Sequence, residues 1–374
     1  MSYSKFPIIV YEDLTKIQDE EQMNSTITQY ENLLDREDIE YPYASYFLSK
    51  EEVMQKIIDA PKTHRAILKK KGEYLDRLPN FLNHMRFVPS KEQSWVIEYD
   101  EEDYERIDII TNHFSEYIRV RARHKKYHPP IIAYISLRKK IINNAITYAL
   151  ENKMDLSAKS MSEGIFLSSV KICTTFKISV GMSVFDDLFR CKRVFDPFAG
   201  WGDRGLSAIC SKGVHYYKGI DVNSSLAKSY NEIKKINPHP HKFIDFEIND
   251  ISDVNLQKEI TEMDIDLVFS SPPFFDYEFY SSDSGQSTNK YPKYKDWLYK
   301  WLIPITRSMA LCLKSGGRLC YYMGGHDKFM IETLIRHMTY EGGNEHLIFR
   351  GQIGVLSAND PCKRPMFLLI WQKK

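Results

Sequence analysis

Val194-Phe195-Asp196-Pro197-Phe198-Ala199-Gly200-Trp201-Gly202-Asp203-Arg204 is the stretch that decides the fold: an apolar strand meets an acidic residue, then glycines two apart, then a helix. Glycines in such a loop let the backbone approach a ligand closely, and the amino end of the following helix attracts the ligand's anionic part. Downstream, two periodicities alternate. Arg193–Asp196, Tyr217–Asp221, Phe243–Ile248 and Ile265–Ser270 read as strands, with helical patterns over Leu206–Cys210, Leu226–Ile236 and Leu256–Met263 between them. A helical stretch from Trp297 to Leu313 precedes strand, helix, strand and strand at Arg318–Met323, Asp327–Met338, Leu347–Ile353 and Pro365–Trp371. Alternation of this kind predicts βαβ units: an α/β class, with a mostly parallel sheet, helices on both faces and a reversed final strand.

Composition bounds what surrounds that core. At 374 residues the chain exceeds one small core and predicts two to three domains on a prior of ~150 residues each. With 43% hydrophobic and 27% charged residues, it is neither wholly disordered nor fibrous. The 51 Lys+Arg nearly balance 50 Asp+Glu, so a polyanionic partner must be met by a local basic patch. Six Cys without a CxxC give neither a disulfide framework nor a zinc knuckle, which favours a reducing compartment, cytoplasmic or nuclear. The amino end has only a six-residue apolar run, Phe6 to Tyr11, and no cleavage pattern, so no secretory signal is expected. No apolar run is long enough for a membrane span, so no membrane partner is expected.

Composition shifts divide the chain into three stretches. Residues 1–60 are acidic and read as a surface appendage. Residues 61–185 are basic and expected to be mainly helical, a candidate nucleic-acid-facing domain. Arg119, Arg121, Arg123, Lys125, Lys126, Arg138, Lys139 and Lys140 stand there without an intervening Asp or Glu, interleaved with Tyr117, His124, Tyr127, His128 and Tyr134. Cations with rings between them suit phosphate contact and base stacking, and equally suit a solvated helical face. Ile131 to Leu150 reads as one helix, with Ile132, Ile135, Ile142, Ile146 and Leu150 on its apolar stripe. Residues 186–374 form the α/β domain.

Chemistry concentrates at strand ends. Gly200, Gly202 and Gly205 satisfy the GxGxxG spacing, so spacing alone leaves a nicotinamide or flavin site open; Asp-Pro-Phe-Ala before the glycines argues against it. Asp221, about 20 positions on, is placed to hold ribose hydroxyls, and Asp250 at the third strand's end can meet an adenine amine. The three together suit an adenosine-bearing ligand. The fourth strand ends in Ser271-Pro272-Pro273-Phe274-Phe275-Asp276-Tyr277. Two prolines fix φ and remove two backbone donors, leaving rigid outward acceptors. Such a loop suits a planar heterocycle with an exocyclic NH₂, whose hydrogens donate to Ser271 Oγ and the Pro272 carbonyl while Phe274 stacks on the ring. The rings from Phe274 to Tyr280 could hold a base flipped out of a duplex. Ser281 to Tyr291 reads as a flexible polar loop. Asn237-Pro-His239-Pro-His241 reads as a loop, and no metal is expected. A cytosine-C5 mechanism would need a Cys after Pro on the fourth-strand loop; Pro361-Cys362 lies far from it in sequence.

Over about residues 170 to 374 the chain resembles the class I S-adenosylmethionine-dependent methyltransferases that modify exocyclic amines in nucleic acids. Asp196-Pro-Phe-Ala-Gly-Trp-Gly resembles their cofactor loop and Ser271-Pro-Pro-Phe their (Asn/Asp/Ser)-Pro-Pro-(aromatic) catalytic loop. More narrowly, DPFAGWGDR, GIDVNSSL and SPPFFDYEFYS…QS…YPKYKDWL are similar to DNA methyltransferases assigned to large DNA viruses and phages. The resemblance implies a Rossmann-like, seven-stranded sheet and S-adenosylmethionine as cofactor. It implies methyl transfer by direct displacement to cytosine N4 or adenine N6, on DNA in preference to RNA. Implied catalytic residues are Ser271, Pro272, Pro273 and Phe274, and cofactor contacts are Asp196, Phe198, Gly200, Gly202, Asp221, Asp250 and Ile251. Substrate contacts expected from the rings and the basic segment are Phe275, Tyr277, Arg119, Arg121, Arg123, Lys125 and Lys126. Ser stands where adenine enzymes most often carry Asp or Asn, which leaves the base open. The same chemistry on RNA, and a non-catalytic nucleic-acid-binding subunit with this fold, are the competing readings. Trp201 and Arg204 have no assigned role.

Overall fold

The computed structural model describes residues 6–63, 66–72, 94–100, 104–324, 327–340, 346–359 and 366–374. Cys362 lies outside them. In chain order the strands are β1 (Ile67–Lys70), β2 (Trp95–Tyr99), β3 (Arg123–His124), β4 (Arg193–Asp196), β5 (Tyr216–Asp221), β6 (Phe243–Ile248), β7 (Ile265–Ser270), β8 (Glu278–Phe279), β9 (Leu313–Gly324), β10 (Leu347–Ser357) and β11 (Met366–Lys373). The chain forms two units, each drawn from three separate segments. One unit takes residues 1–54, 110–174 and 277–280; the other takes 55–109, 175–276 and 281–374.

The larger unit is built on a nine-stranded sheet in the order β1-β2-β10-β11-β9-β7-β4-β5-β6. Strands β6, β5, β4, β7 and β9 are mutually parallel, and β11 is antiparallel to both its neighbours, β9 and β10. This is the expected mostly parallel α/β sheet with a reversed last strand. Central strands carry near-continuous apolar runs because helices cover both faces: Leu267, Val268 and Phe269 on β7 and Phe367 to Trp371 on β11 are buried. The addition is β1 and β2. They pair with each other antiparallel, and β2 runs parallel to β10, so part of the stretch expected to be helical instead lengthens the sheet. Parallel order puts the carboxyl ends of β4, β5, β6, β7 and β9 on one edge, where doubly wound sheets bind ligands.

The helical unit corrects the appendage reading of residues 1–60. Leu14, Ile27, Tyr30, Leu34 and Tyr41 are buried with Val120, Tyr134, Ile141, Ile142, Ile146, Met161 and Ile165 in one core. Helix Glu20–Arg36, capped by Asp19, turns Ile27, Tyr30 and Leu34 inward on a stripe spaced by three and four, while its acidic residues face outward. The helix expected over Ile131–Leu150 breaks at Leu137 into Pro130–Ser136 and Arg138–Glu151. The break changes the buried face of the first piece to Pro130 and Tyr134, leaving Ile132 and Ile135 about half exposed.

Helix Asp203–Cys210, which follows the glycine loop, is buried along its whole length. It packs so closely on β6 that a Cβ at Gly205 would lie 2.2 Å from Phe246 Cζ. Lys242 closes its other end, with Nζ donating to Ala208 O at 3.1 Å and Ile209 O at 2.8 Å. In an exposed helix Gly→Ala would stabilise by about 1 kcal/mol. Here Gly205→Ala should reverse the sign and cost about 1–3 kcal/mol through overpacking, read as a lowered urea midpoint. A raised midpoint would contradict this packing.

Candidate functional site

The site begins with a carboxylate that water cannot reach. Asp196, at the end of β4, is fully buried. Its Oδ1 accepts from Ser270 Oγ at 2.5 Å and Phe198 N at 3.3 Å; its Oδ2 accepts from Arg204 Nε at 2.7 Å and Tyr217 OH at 2.8 Å. Burial, and then the Asp196 charge, push the Tyr217 hydroxyl well above its usual range, so it stays a donor. Arg204, itself buried, also donates to the Phe198 carbonyl. One ion pair therefore ties together the ends of β4 and β7, the glycine loop and the first turn of helix Asp203–Cys210. Asp196, expected as a cofactor contact, has both oxygens engaged inside the protein and holds the loop in shape. Arg204 now has its role.

The glycine loop follows from that anchor. Gly200 and Gly202 have φ of +55° and +90°, a left-handed backbone that favours glycine. A Cβ at Gly200 would meet nothing closer than 3.8 Å, leaving room for a ligand, whereas one at Gly202 would lie 2.5 Å from Ile233 Cδ1. Tyr230 OH donates to Gly200 O at 2.6 Å, with its ring stacked on Phe246 at 4.3 Å. Trp201 is buried, and Phe198 packs on Trp301 at 5.5 Å. Asp221, at the end of β5, accepts from Gly200 N at 2.8 Å and Asn223 N at 2.9 Å, one bond per oxygen. A carboxylate has about four lone-pair sites, so it keeps capacity for two hydroxyls. Burial pushes its pKa up, opposed by those two backbone donors.

The third expected contact differs. Asp250 Oδ1 accepts from Ser252 N at 2.9 Å and Ser252 Oγ at 2.7 Å, and Oδ2 is paired with Lys290. Against the upward push of burial, Lys290 and Ser252 hold its carboxyl below the usual range. An adenine amine would have to share Oδ2 with an ammonium. Ile251 is a core residue rather than an exposed contact. The polar segment after the Ser-Pro-Pro loop is fastened rather than loose. Asp283 accepts from Ser224 N at 2.9 Å, Ser287 Oγ accepts from Trp297 Nε1 at 3.0 Å, and a Cβ on Gly285 would lie 2.2 Å from Val222 Cγ2.

At the end of β7, between β4 and β9, Ser271 is half-buried and its hydroxyl has no hydrogen-bond partner among the described residues. Nor does any described residue donate to the carbonyl of buried Pro272. Phe274 is half-buried against the core. Phe275 has φ of +52°, a conformation costing a side-chain-bearing residue about 1–3 kcal/mol, held by Tyr294 at 5.3 Å and Trp297 at 5.6 Å. Its ring secures the loop; it is not a free substrate contact. Ser270, Arg204 and Tyr217 were missed in the sequence. The signals were a second Ser before Pro-Pro and an Arg in a helix whose residues after it are apolar or small.

Tyr277–Tyr280 belong to the helical unit, where β8 pairs with β3. Lys125 Nζ lies 4.3 Å from the Tyr277 ring centroid and the Arg123 guanidinium 4.1 Å from that of Phe279. Arg123, Lys125 and Lys126 are exposed. Arg119 is not: it is 6% exposed, with Nη1 bonded to Cys173 O at 2.9 Å and Nη2 to Asn112 Oδ1 at 2.6 Å. It is a structural residue, which a run of charges in sequence could not reveal. Arg121 is bound to Tyr43 OH at 3.1 Å and paired with Glu40 at 3.2 Å. Among the described residues no group of His, Cys, Asp and Glu could hold a metal, and no helix is long and apolar enough to cross a membrane.

No protein-family model and no curated protein matches the chain. Solved structures do. TrmN from Thermus thermophilus is 14% identical over 53% of this chain and 49% of that chain, TM-score 0.37. The tRNA m1G37 methyltransferase of M. jannaschii is 16% identical over 52% and 48%, TM-score 0.33. A TehB-like SAM-dependent methyltransferase from Corynebacterium glutamicum is 14% identical over 58% and 96%, TM-score 0.33. The match spans about half the length of the first two. Likeness at this level assigns neither activity nor substrate.

The Asp196 network makes its own prediction. Arg204→Met leaves a buried carboxylate without its counter-charge and should cost about 3–5 kcal/mol in urea unfolding. The double variant Asp196→Asn/Arg204→Met should lose clearly less than the sum of the two single changes. Simple additivity would contradict the pairing.

Proposed function

We propose that the chain is an S-adenosylmethionine-dependent methyltransferase acting on the exocyclic amine of a nucleic-acid base, cytosine N4 or adenine N6, with DNA favoured over RNA. The reading rests on one observation: β7 ends, beside the strand that carries the glycine loop, in a hydroxyl and a proline carbonyl to which no described residue is hydrogen-bonded. An idle binding subunit has no need of that pair. Arg123, Lys125 and Lys126, exposed next to Tyr277 and Phe279, support a polyanionic substrate. The preference for DNA rests on the sequence resemblance.

The residues fit the cofactor at its ribose end better than at its adenine end. Asp221 would accept the ribose hydroxyls, and Gly200 would admit the chain bearing the sulfonium. S-adenosylmethionine supplies a methyl carbon that leaves sulfur with its bonding pair staying behind. The amine lone pair forms the new N–C bond, and a proton then leaves nitrogen for solvent. An exocyclic amine is a weak nucleophile because its lone pair is delocalised into the ring. Ser271 Oγ and Pro272 O would each accept one of its hydrogens, drawing nitrogen toward tetrahedral geometry and stabilising the charge that develops there. Phe274 would hold the ring, and alignment can remove ~7–11 kcal/mol of barrier at best.

Ser271→Ala should slow transfer of labelled methyl to nucleic acid about tenfold to a hundredfold, the ~1.5–3 kcal/mol of a hydrogen bond to a charged group, with cofactor affinity unchanged. Unaltered turnover would remove Ser271 from the chemistry. Because burial raises the Asp221 pKa, cofactor affinity should start to fall, as pH is lowered, at a higher pH than an exposed aspartate would give. The ionised form accepts both hydroxyls, and protonation removes that capacity. Calorimetric titration of Asp221→Asn should show weak binding without the acid limb; an unshifted acid limb would reassign Asp221 to holding the turn.

A further inference from the structure

A second built surface lies against Phe275, in the loop after β7, and Asp327, which follows β9. Its sequence is Lys293-Tyr294-Lys295, with Phe329 from the helix Lys328–Thr339. Tyr294 is fixed on three sides. Its hydroxyl donates to Asp327 Oδ2 at 2.6 Å, its ring lies nearly parallel to Trp297 (24°, centroids 6.1 Å apart), and Phe275 meets it edge-on at 5.3 Å. Asp327 is itself immobile, since its other oxygen caps the helix at Met330 N, 2.9 Å away. Phe329 sits 6.3 Å from the Tyr294 centroid and is 49% exposed, although it belongs to the first turn of a helix whose other large apolar side chains are buried.

Lysines flank Tyr294 in sequence, and the one carboxylate bonded to its hydroxyl, Asp327, is also engaged by Met330 N. Lys293 and Lys295 are exposed, and neither forms a salt bridge among the described residues. The nearby carboxylates are already engaged: Asp296 with Lys300 at 2.8 Å and Glu332 with Lys328 at 3.5 Å. Two lysines flanking an immobilised tyrosine, with a bare phenyl ring beside it, match what an unpaired strand needs: cations for successive phosphates and π-faces for the bases between them. A duplex hides those faces. Ring positions fixed before binding also lower the ordering cost.

We propose that Lys293, Tyr294, Lys295 and Phe329 form a binding track for single-stranded nucleic acid, stacking a nucleotide next to the one whose amine reaches Ser271. This rests on the methyl-transfer reading for its direction along the strand but not for the binding itself. The substrate is thus an unpaired segment rather than an intact duplex.

The test is fluorescence anisotropy of the full chain with labelled 15-nucleotide single strands of DNA and of RNA, and with the matching DNA duplex. Wild type should prefer single strand to duplex, and comparison of the two single-strand arms assigns the sugar. Phe329→Ala should weaken single-strand binding about tenfold, with Phe329→Trp restoring it. Lys293→Glu/Lys295→Glu should lower the slope of log affinity against log salt by about 1.4, ~0.7 per phosphate contact on a single strand. Unchanged affinity in Phe329→Ala together with an unchanged slope in the lysine pair overturns the track, as does wild-type preference for duplex. Each variant's cofactor affinity, read by calorimetry, serves as the folding control. Track-dependent binding without methyl transfer by wild type would sink the enzymatic reading and leave the track; methyl transfer with track-independent binding would do the reverse.

Discussion

One buried ion pair sets the geometry on which the rest depends. Taking a carboxylate and a guanidinium out of water costs several kcal/mol per ion, and the fold recovers this only if every lone pair finds a donor. Asp196 meets that condition with Arg204, Tyr217, Ser270 and the Phe198 amide. Those partners come from β5, β7, the glycine loop and the helix after it, so satisfying the charge fixes four elements at once. The glycine loop and the Ser-Pro-Pro loop are thereby registered against each other from inside the protein, without either contributing a ligand-facing group to the task.

That division explains the distribution of free and bound groups. Behind the two loops Asp196 has all its lone pairs engaged, whereas no described residue bonds to Ser271 Oγ or donates to Pro272 O. Binding or chemistry needs unsatisfied groups in fixed positions, and those positions must be enforced by satisfied ones. The strained backbone at Phe275 fits the same pattern. Its conformation is held by two rings, Tyr294 and Trp297, and Tyr294 is in turn held by a helix cap. Rigidity thus runs outward from the Ser-Pro-Pro loop into the aromatic surface around Tyr294.

The sequence revealed what is local and hid what is paired at a distance. Strand ends at Asp196, Asp221 and Ser270 were legible because apolar runs stop at residues with strong backbone preferences. The glycines at positions 200 and 202 were legible for the same reason, as both need positive φ. β1 and β2 were not, since Ile67–Lys70 is short and polar at one end and becomes a strand only by pairing with β2, which in turn pairs with β10 from the far end of the chain. Arg119 and Arg123 sit four residues apart in one basic run, yet one is buried and the other is exposed. Nothing local distinguishes them; the difference is made by Asn112 and Cys173. Likewise Asp250 reads as a contact until Lys290, forty positions on, occupies it.

The central claim is that a hydroxyl and a proline carbonyl present a base amine to a methyl donor. Its most direct test is to incubate the protein with isotopically labelled S-adenosylmethionine and nucleic acid, digest the product to nucleosides and identify the labelled species by mass spectrometry. The account predicts label on an exocyclic nitrogen, as N4-methylcytosine or N6-methyladenine. Label on a ring atom or a sugar, or none on any nucleoside, would contradict it.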